Sequence, residues 1–499
     1  MTNAIVVGPL LGFEDGDLYT VCVLLDAAVH PRLTVEGLDE SPVLTQLATV
    51  GAHRFWRAEF RVMTEATGRR VDYRLTGAAG PLSDRHGRVS WTFYVPGTEE
   101  RPLIAYASCN GFSSAGLVRD TDRPYRLWEE MKVRHKANPF SLLLMGGDQL
   151  YADEIWESRR CPRLREWGEK SLKAQIDQPV TPELNTEIRD FYDWLYTDRW
   201  GNEHLSLMLA SIPSIMMWDD HDIFDGWGSY PKKRQECRVY GGIFEHAARV
   251  FDLFQLRGPS GSRLAANAKH RTLGLRFRDY LILVLDNRSE RSLSEVMSRP
   301  HWELVKSWLE RPIPVGVKDI LILAAVPVVF RSYSFVEAIF DVTPWQDRLD
   351  DDVHDHWSSP SHAAEMERLA MFLFDLLERR SAGALRITLL SGDVHVGALG
   401  QLRHVATGRT ILQLTSSGIV HPAPSALQWA GVVATTSDKP RRLAGGSVVA
   451  EMLTMSGVPR YLRTRNFLTL QVGTDGFVWA NWVCENEKWA PYVAVRSDA

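Results

Sequence analysis

Several apolar runs in this chain end abruptly in side chains that can ligate a cation or move a proton. LIAYA runs into Ser108, Cys109 and Asn110, and SLLLMG runs into Gly147, Asp148 and Gln149, with Tyr151 and Asp153 just beyond. SIMMW is followed by Asp219, Asp220, His221 and Asp222; YLILVL by Asp286, Asn287 and Arg288; ITLLS by Gly392, Asp393, Val394 and His395. Ligands of α/β folds bind at the carboxyl ends of strands. If these runs are strands, their ends converge as a site with room for more than one cation. Asp393 and His395 are two apart, so an extended backbone would put both on one face. Asp148 and Tyr151 are three apart across a turn and can converge as well. One carboxylate can bridge two cations. Thiolate and phenolate favour a trivalent or thiophilic transition metal, whereas the carboxylates are hard donors suited to calcium, magnesium or manganese. The donor mix therefore points to two unlike cations side by side.

Two kinds of patterning would have to position these residues. Up to about residue 95, short segments rich in Val, Thr, Tyr and Phe alternate with turn residues, as in LYTVCVLLDA, HRFWRAEFRVM and VSWTFYVP. This predicts a small all-β sandwich domain over residues 1–98, with GTEERP as the linker. From Arg101 onward, the runs already named, together with ILILAAVP, are apolar nearly throughout, as central strands covered on both faces are. Stretches such as NTEIRDFYDWLYTDRW and SHAAEMERLAMFLFDLLERR show helical spacing of apolar residues. Alternation of the two predicts a layered α/β catalytic domain over residues 99–499. FLTLQVGTDGFVWANWV predicts a hairpin that adds edge strands.

Composition narrows the function classes. The 499 residues are 45% hydrophobic and 24% charged, with a net charge of -5. That is the balance of an ordinary globular protein with a large core, and it disfavours a nucleic-acid binder or a surface seeking anionic lipid. No window approaches the roughly 18 continuous apolar residues of a spanning helix. The first residues carry no basic segment, twin-arginine pair or unbroken apolar run of signal length. The five cysteines are scattered without CxxC spacing, which suits thiols in a reducing compartment. The expectation is a cytoplasmic protein. Oligomeric state leaves no trace in the sequence.

The motifs together resemble the alkaline phosphatase D (PhoD-like) family of metallophosphatases. GDQLY resembles the GDxxY signature, DDHD the GNH(D/E) motif and GDVH the closing GHxH motif; SCN completes the set. The resemblance is close over roughly residues 100 to 420. It implies a metallophosphatase α/β/β/α sandwich preceded by a small β domain. It also implies an iron(III) ion held by Cys109, Asp148, Tyr151 and His395, and a second ion, calcium (or Mn, Mg or Zn), held by Asp148, Asp220 and Asp393. His221 takes the place of the catalytic histidine. The implied reaction is hydrolysis of phosphate diesters, monoesters or both in small molecules by a metal-bound hydroxide, with His221 and Arg288 stabilising the developing charge. Two departures stand out. The first residues hold no twin-arginine pair of the family's kind, so its extracytoplasmic role is not expected here, and no Arg near YAD clamps a terminal phosphate, which tilts the expectation towards diesters.

Each residue also has a plainer reading. Cys109 alone reads as a buried apolar side chain and Tyr151 alone as a core tyrosine; the motif set turns both into ligands. Asp219 reads as an acceptor behind the ligands or as a cap. Asp222 reads either as the carboxylate that orients His221 or as a turn cap. Arg288 either contacts phosphate or pairs with Asp286. His301, His404 and His421 read as ordinary histidines, while His354 and His356, in DDDVHDHW, read as possible pocket lining. PKKRQECR, just past DDHD, is a solvated basic loop or a lure for anions. Two other functions compete: a catalytically silent metallophosphatase-fold binding or regulatory protein, and a nuclease.

Overall fold

The expected alternation of apolar runs becomes two mixed β-sheets laid face to face. The structure, a computed structural model, describes residues 5–333, 357, 359, 361–380, 385–486 and 489–496. In the first sheet, Leu103–Ala107, Phe140–Gly146, Ser214–Met217 and Ile5–Asp15 run parallel at the centre. The hairpin Asn466–Val472 and Val478–Cys484, expected from its GTDG turn, extends one side antiparallel. In the second sheet, Tyr280–Leu285, Asp319–Ala324, Arg386–Ser391 and Thr410–Thr415 form the parallel centre. Phe140–Gly146 and Asp319–Ala324 are buried at every residue, as expected of strands covered on both faces.

The period of two along one strand shows how the layers stack. In Asp319–Ala324, Leu321 and Leu323 join the core shared with the first sheet, while Ile320, Ile322 and Ala324 join a second core. That second core lies under the helices Arg299–Leu309 and Ala363–Arg379, which contribute Trp302, Val305, Met366, Leu369 and Leu373. On the other side of the molecule, Pro182–Arg199 and Arg238–Phe254 cover the first sheet with Ile188, Phe191, Val250 and Phe254. Helix, sheet, sheet and helix therefore follow in that order. No helix among the described residues is long and apolar enough to cross a membrane.

The N-terminal strands are arranged differently from the self-contained sandwich expected over residues 1–98. Arg32–Val35, Arg69–Gly77, Gly80–Pro81 and Trp91–Val95 form a small sheet of their own. Its Phe93 packs on Tyr19 at 5.2 Å. Tyr19 sits on Leu18–Asp26, and that strand, with Ile5–Asp15, His53–Arg61 and Thr45–Val50, belongs to the ten-stranded first sheet. The junction is polar and buried. Gly12 faces Ser214 in register, and the buried Arg257 donates to the Ser214 Oγ at 3.1 Å and to its carbonyl. Arg57 in turn donates to the Arg257 carbonyl at 2.5 Å. Local β-patterning carries no information about such a long-range parallel pairing.

A Cβ at Gly12 would lie 2.2 Å from the Arg257 Nε and 2.3 Å from the Thr20 Oγ1. Gly12→Ala is therefore expected to destabilise the fold by roughly 1–3 kcal/mol, the usual scale of overpacking. A lowered denaturant midpoint at unchanged m-value would show it; an unchanged midpoint would mean that the junction yields freely.

Candidate metal centre

At the carboxyl ends of the parallel strands the loops bind one another before they bind anything else. The Cys109 N–H donates to the Gly147 carbonyl at 3.1 Å, and the Asn110 N–H to the Asp148 carbonyl at 2.7 Å. From the second sheet, the Gly392 N–H reaches the Ala325 carbonyl at 3.0 Å, and the Ile419 N–H reaches the Ser108 carbonyl at 2.9 Å. Asn110 is a strut: its amide oxygen accepts from the Trp128 indole at 2.7 Å and its nitrogen donates to the Gln149 carbonyl at 3.3 Å. Gly147, at φ +104°, lets the chain pass 2.9 Å from the Asp219 Cβ, measured from where its own Cβ would be.

Cys109 (φ +52°), Asp148 (φ +54°), Asp393 (φ +64°) and His395 (φ +53°) all have left-handed backbone. For side-chain-bearing residues this conformation costs energy and persists where surrounding structure enforces it. Asp393 and His395 therefore do not converge through extended geometry, as their two-residue spacing suggested. They lie in a tight turn, closed by the Val394 N–H on the Gly392 carbonyl at 2.8 Å.

The six residues expected to ligate cations come together. Ligand atoms of Cys109, Asp148 and His395 lie within 4.8 Å of one another, and so do those of Asp148, Asp219, Asp220 and Asp393. The Tyr151 hydroxyl lies 3.2 Å from the His395 Nε2 and 3.5 Å from the Asp148 Oδ2. Asp148 belongs to both sets, and its Oδ1 is buried with no hydrogen-bond partner. An orphaned, buried carboxylate oxygen at the centre of a thiol, a phenol, an imidazole and further carboxylates fits cation binding.

Electrostatics point the same way. Burial pushes the Asp148 carboxyl well above its usual range; His221 opposes this, while Asp219, Asp220 and Asp222 add to it. Burial, then Asp148 and Asp393, raise the Cys109 thiol. Burial, then Cys109 and Asp148, raise the Tyr151 phenol. Burial pushes the His395 ring down, helped by His421 and His221. For His221 burial alone would lower the pKa, but Asp153, Asp220 and Asp148 outweigh it and hold the ring well above its usual value.

The residues around the ligands are partly those expected and partly not. The His221 Nδ1 lies 2.8 Å from the Asp153 Oδ2, so Asp153 holds the orienting position for which Asp222 was one candidate. Asp222 takes its capping alternative. It closes a capping box with Asp219 and accepts from the Gln149 and Leu150 N–H groups and the Gln255 amide. Burial still pushes its pKa up to about 7 against these donors. Asp219 comes within ligating range while also pairing with Arg288. Arg288 has no exposed surface; its guanidinium meets Asp219, Asp220 (3.3 Å) and the Trp227 carbonyl (3.2 Å). Asp286 instead gathers backbone N–H groups and the Trp218 indole. Arg199, distant in sequence, pairs with Glu154 at 2.7 Å. The basic run begins an exposed short helix, Lys232–Gln235. His301 is structural, its Nε2 hydrogen-bonded to Thr272 and its Nδ1 3.2 Å from the Glu290 carboxylate, and His404 bonds to Thr407. His421 lies at the site. His354 and His356 lie outside the described residues.

Comparison with known proteins decides the family. A model of the PhoD related phosphatase family matches residues 81–348, more than half of the chain. The protein belongs to the PhoD related phosphatase family. The matched span holds Cys109, Asp148, Tyr151, Asp220, His221 and Arg288, while Asp393 and His395 come from beyond it. The chain is 27% identical over 411 residues to the uncharacterized protein YGR266W of Saccharomyces cerevisiae, covering 70% of this chain and 56% of that protein. It thus spans just over half the length of that relative. Among solved structures, PhoD superposes with a TM-score of 0.62 at 12% identity, over 100% of this chain and 93% of PhoD. Purple acid phosphatase PPD1 from yellow lupin (Lupinus luteus) seeds superposes with a TM-score of 0.55 at 10% identity, over 98% of this chain and 74% of that one. These likenesses give the PhoD related chain a metallophosphatase fold of mixed sheets and helices.

Because burial keeps protons on Cys109 and Tyr151 and raises Asp148, a cation binding to their anionic forms must displace protons. Cation affinity of this family member is therefore expected to rise with pH. Calorimetric titration in buffers of different ionisation enthalpy checks this: proton release with tighter binding at higher pH is the expected outcome, and pH-independent binding would contradict the ligand set.

Proposed function

We propose that this protein is a two-cation phosphoesterase. The observation that carries the proposal is the shared, orphaned Asp148 carboxylate between two donor sets of different chemistry. Cys109, Asp148, Tyr151 and His395 would hold the softer or trivalent ion, iron(III) by donor type. Asp148, Asp220 and Asp393, with Asp219 in range, would hold a hard ion such as calcium. Bound there, the two ions supply charge neutralisation of a phosphate ester and a nucleophilic water at neutral pH.

The chain's own residues do the rest. Asp153 fixes the His221 ring by its Nδ1, which leaves Nε2 as the nitrogen that can give a proton or hydrogen bond to a phosphoryl or leaving oxygen. The carboxylates around His221 keep that proton on the ring. Arg288 holds Asp219 and Asp220 in place from behind and partly offsets their charge. With its guanidinium so committed, it does not grip the second ionised oxygen of a monoester, and this favours diesters. An intact donor set disfavours the silent binding protein, since nothing would maintain so costly a cluster of buried anions.

The deciding experiment compares hydrolysis of nitrophenyl phosphate monoester and bis-nitrophenyl diester by protein loaded with iron and calcium. Cleavage is expected to be faster on the diester, and Asp148→Asn should lower kcat/KM by about 100-fold or more, the scale of losing one charge-stabilising group. Loaded protein that cleaves neither would bring the silent binding reading forward; cleavage only of DNA, with steep salt dependence, would favour the nuclease. His221→Ala should keep both metals and lose about 100- to 10,000-fold on an alkyl ester while losing less on the nitrophenyl ester. Equal losses on both would remove proton donation from its role.

A further inference from the structure

His421 is left over by the ligand set, yet it contacts three of the four residues assigned to the softer cation, Cys109 through its backbone. Its ring stacks on His395 at 3.7 Å and 15° between planes, and on Tyr151 at 5.3 Å and 20°. Its backbone N–H donates to the Cys109 carbonyl at 3.1 Å. The ring nitrogens are both occupied. Nδ1 lies 2.9 Å from the Pro422 carbonyl, which can only accept, so this nitrogen carries the proton. Nε2 therefore accepts from the Ser113 hydroxyl at 3.2 Å. A ring pinned at both nitrogens and buried to 6% exposure has one orientation, and it has no lone pair left over for a cation.

The neighbouring residues show why orientation matters. The His395 backbone is left-handed at φ +53°, and its carbonyl is held by the Ser417 hydroxyl at 2.8 Å. The imidazole itself has the Tyr151 hydroxyl as its hydrogen-bond neighbour. On ligating a cation Tyr151 would give up its proton to solvent and with it this hydrogen bond, so packing must hold the imidazole. Residues that orient metal ligands typically matter about 10- to 100-fold in affinity.

We infer that His421 is a positioning residue that aligns His395, Tyr151 and Cys109 for one cation and leaves the carboxylate site to stand without it. The inference rests on the two-cation reading above. The test titrates Co²⁺ alone into metal-free protein and follows thiolate-to-cobalt absorption, which reports the Cys109 site directly, without activity. In wild type the band is expected to saturate. His421→Leu, which fills the space without a flat ring, should shift its midpoint about 10- to 100-fold to higher cobalt. His421→Phe, which keeps a flat ring but gives up both hydrogen bonds that orient it, should fall between the Leu variant and wild type. Ca²⁺ binding should be unchanged in both. Equal midpoints for Leu, Phe and wild type would overturn the positioning role while leaving the two-cation reading standing. A wild-type protein with no thiolate band would instead sink the Cys109 site itself, and the inference with it. The Leu and Phe variants fill similar volume, so comparing them separates ring stacking from loss of fold.

Discussion

Like charges in a low-dielectric pocket repel strongly, and this chain packs Asp148, Asp219, Asp220 and Asp393 so closely that one oxygen from each falls within 4.8 Å of the others. Nearly every detail nearby can be read as a response to that repulsion. The sheets bring rigid strand ends together. The loops tie themselves to one another through backbone hydrogen bonds, so the carboxylates cannot drift apart. Arg288 supplies a buried counter-charge from behind. The proposed cations would offset the rest.

Positioning falls to groups outside the candidate ligand set. Asp222 accepts from the backbone of the Gly147–Tyr151 turn and from that of Asp219, so two ligand loops hang from one carboxylate. Asp153 joins the same turn to His221 and also accepts from the Asp225 N–H. The aromatic rings of Tyr151, His221, His395 and His421 lie against one another. On the proposed reading, metal affinity and proton donation would both depend on this small set of loop-to-loop contacts.

Much of this was legible in the sequence because strand ends can be read locally. Apolar runs followed by polar side chains located the six candidate residues that the fold brings together, and their types suggested two unlike ions; Asp219, read as an acceptor or a cap, comes within the same range. What stayed hidden depends on long-range partners. Asp153 stands two residues past Tyr151, but only the fold shows that His221 comes to it. His421 lies in an unremarkable SGIVHP stretch, and its contacts are with residues far back along the chain. Arg288 looked the same whether it faced a phosphate or Asp219. The turn at Asp393 and His395 escaped because a two-residue spacing suggests extended chain, whereas both residues have positive φ.

The pairing of Ile5–Asp15 with Ser214–Met217 reaches further than its few hydrogen bonds suggest. An N-terminal segment that reads as a detachable module supplies the strand beside the one that launches Asp219 to Asp222. Cutting the chain near residue 98 would turn an interior parallel strand into an open, apolar edge. Such edges recruit strands from other chains. The first 98 residues therefore also serve as a cover, keeping the backbone of the strand that leads into Asp219 to Asp222 paired on both sides.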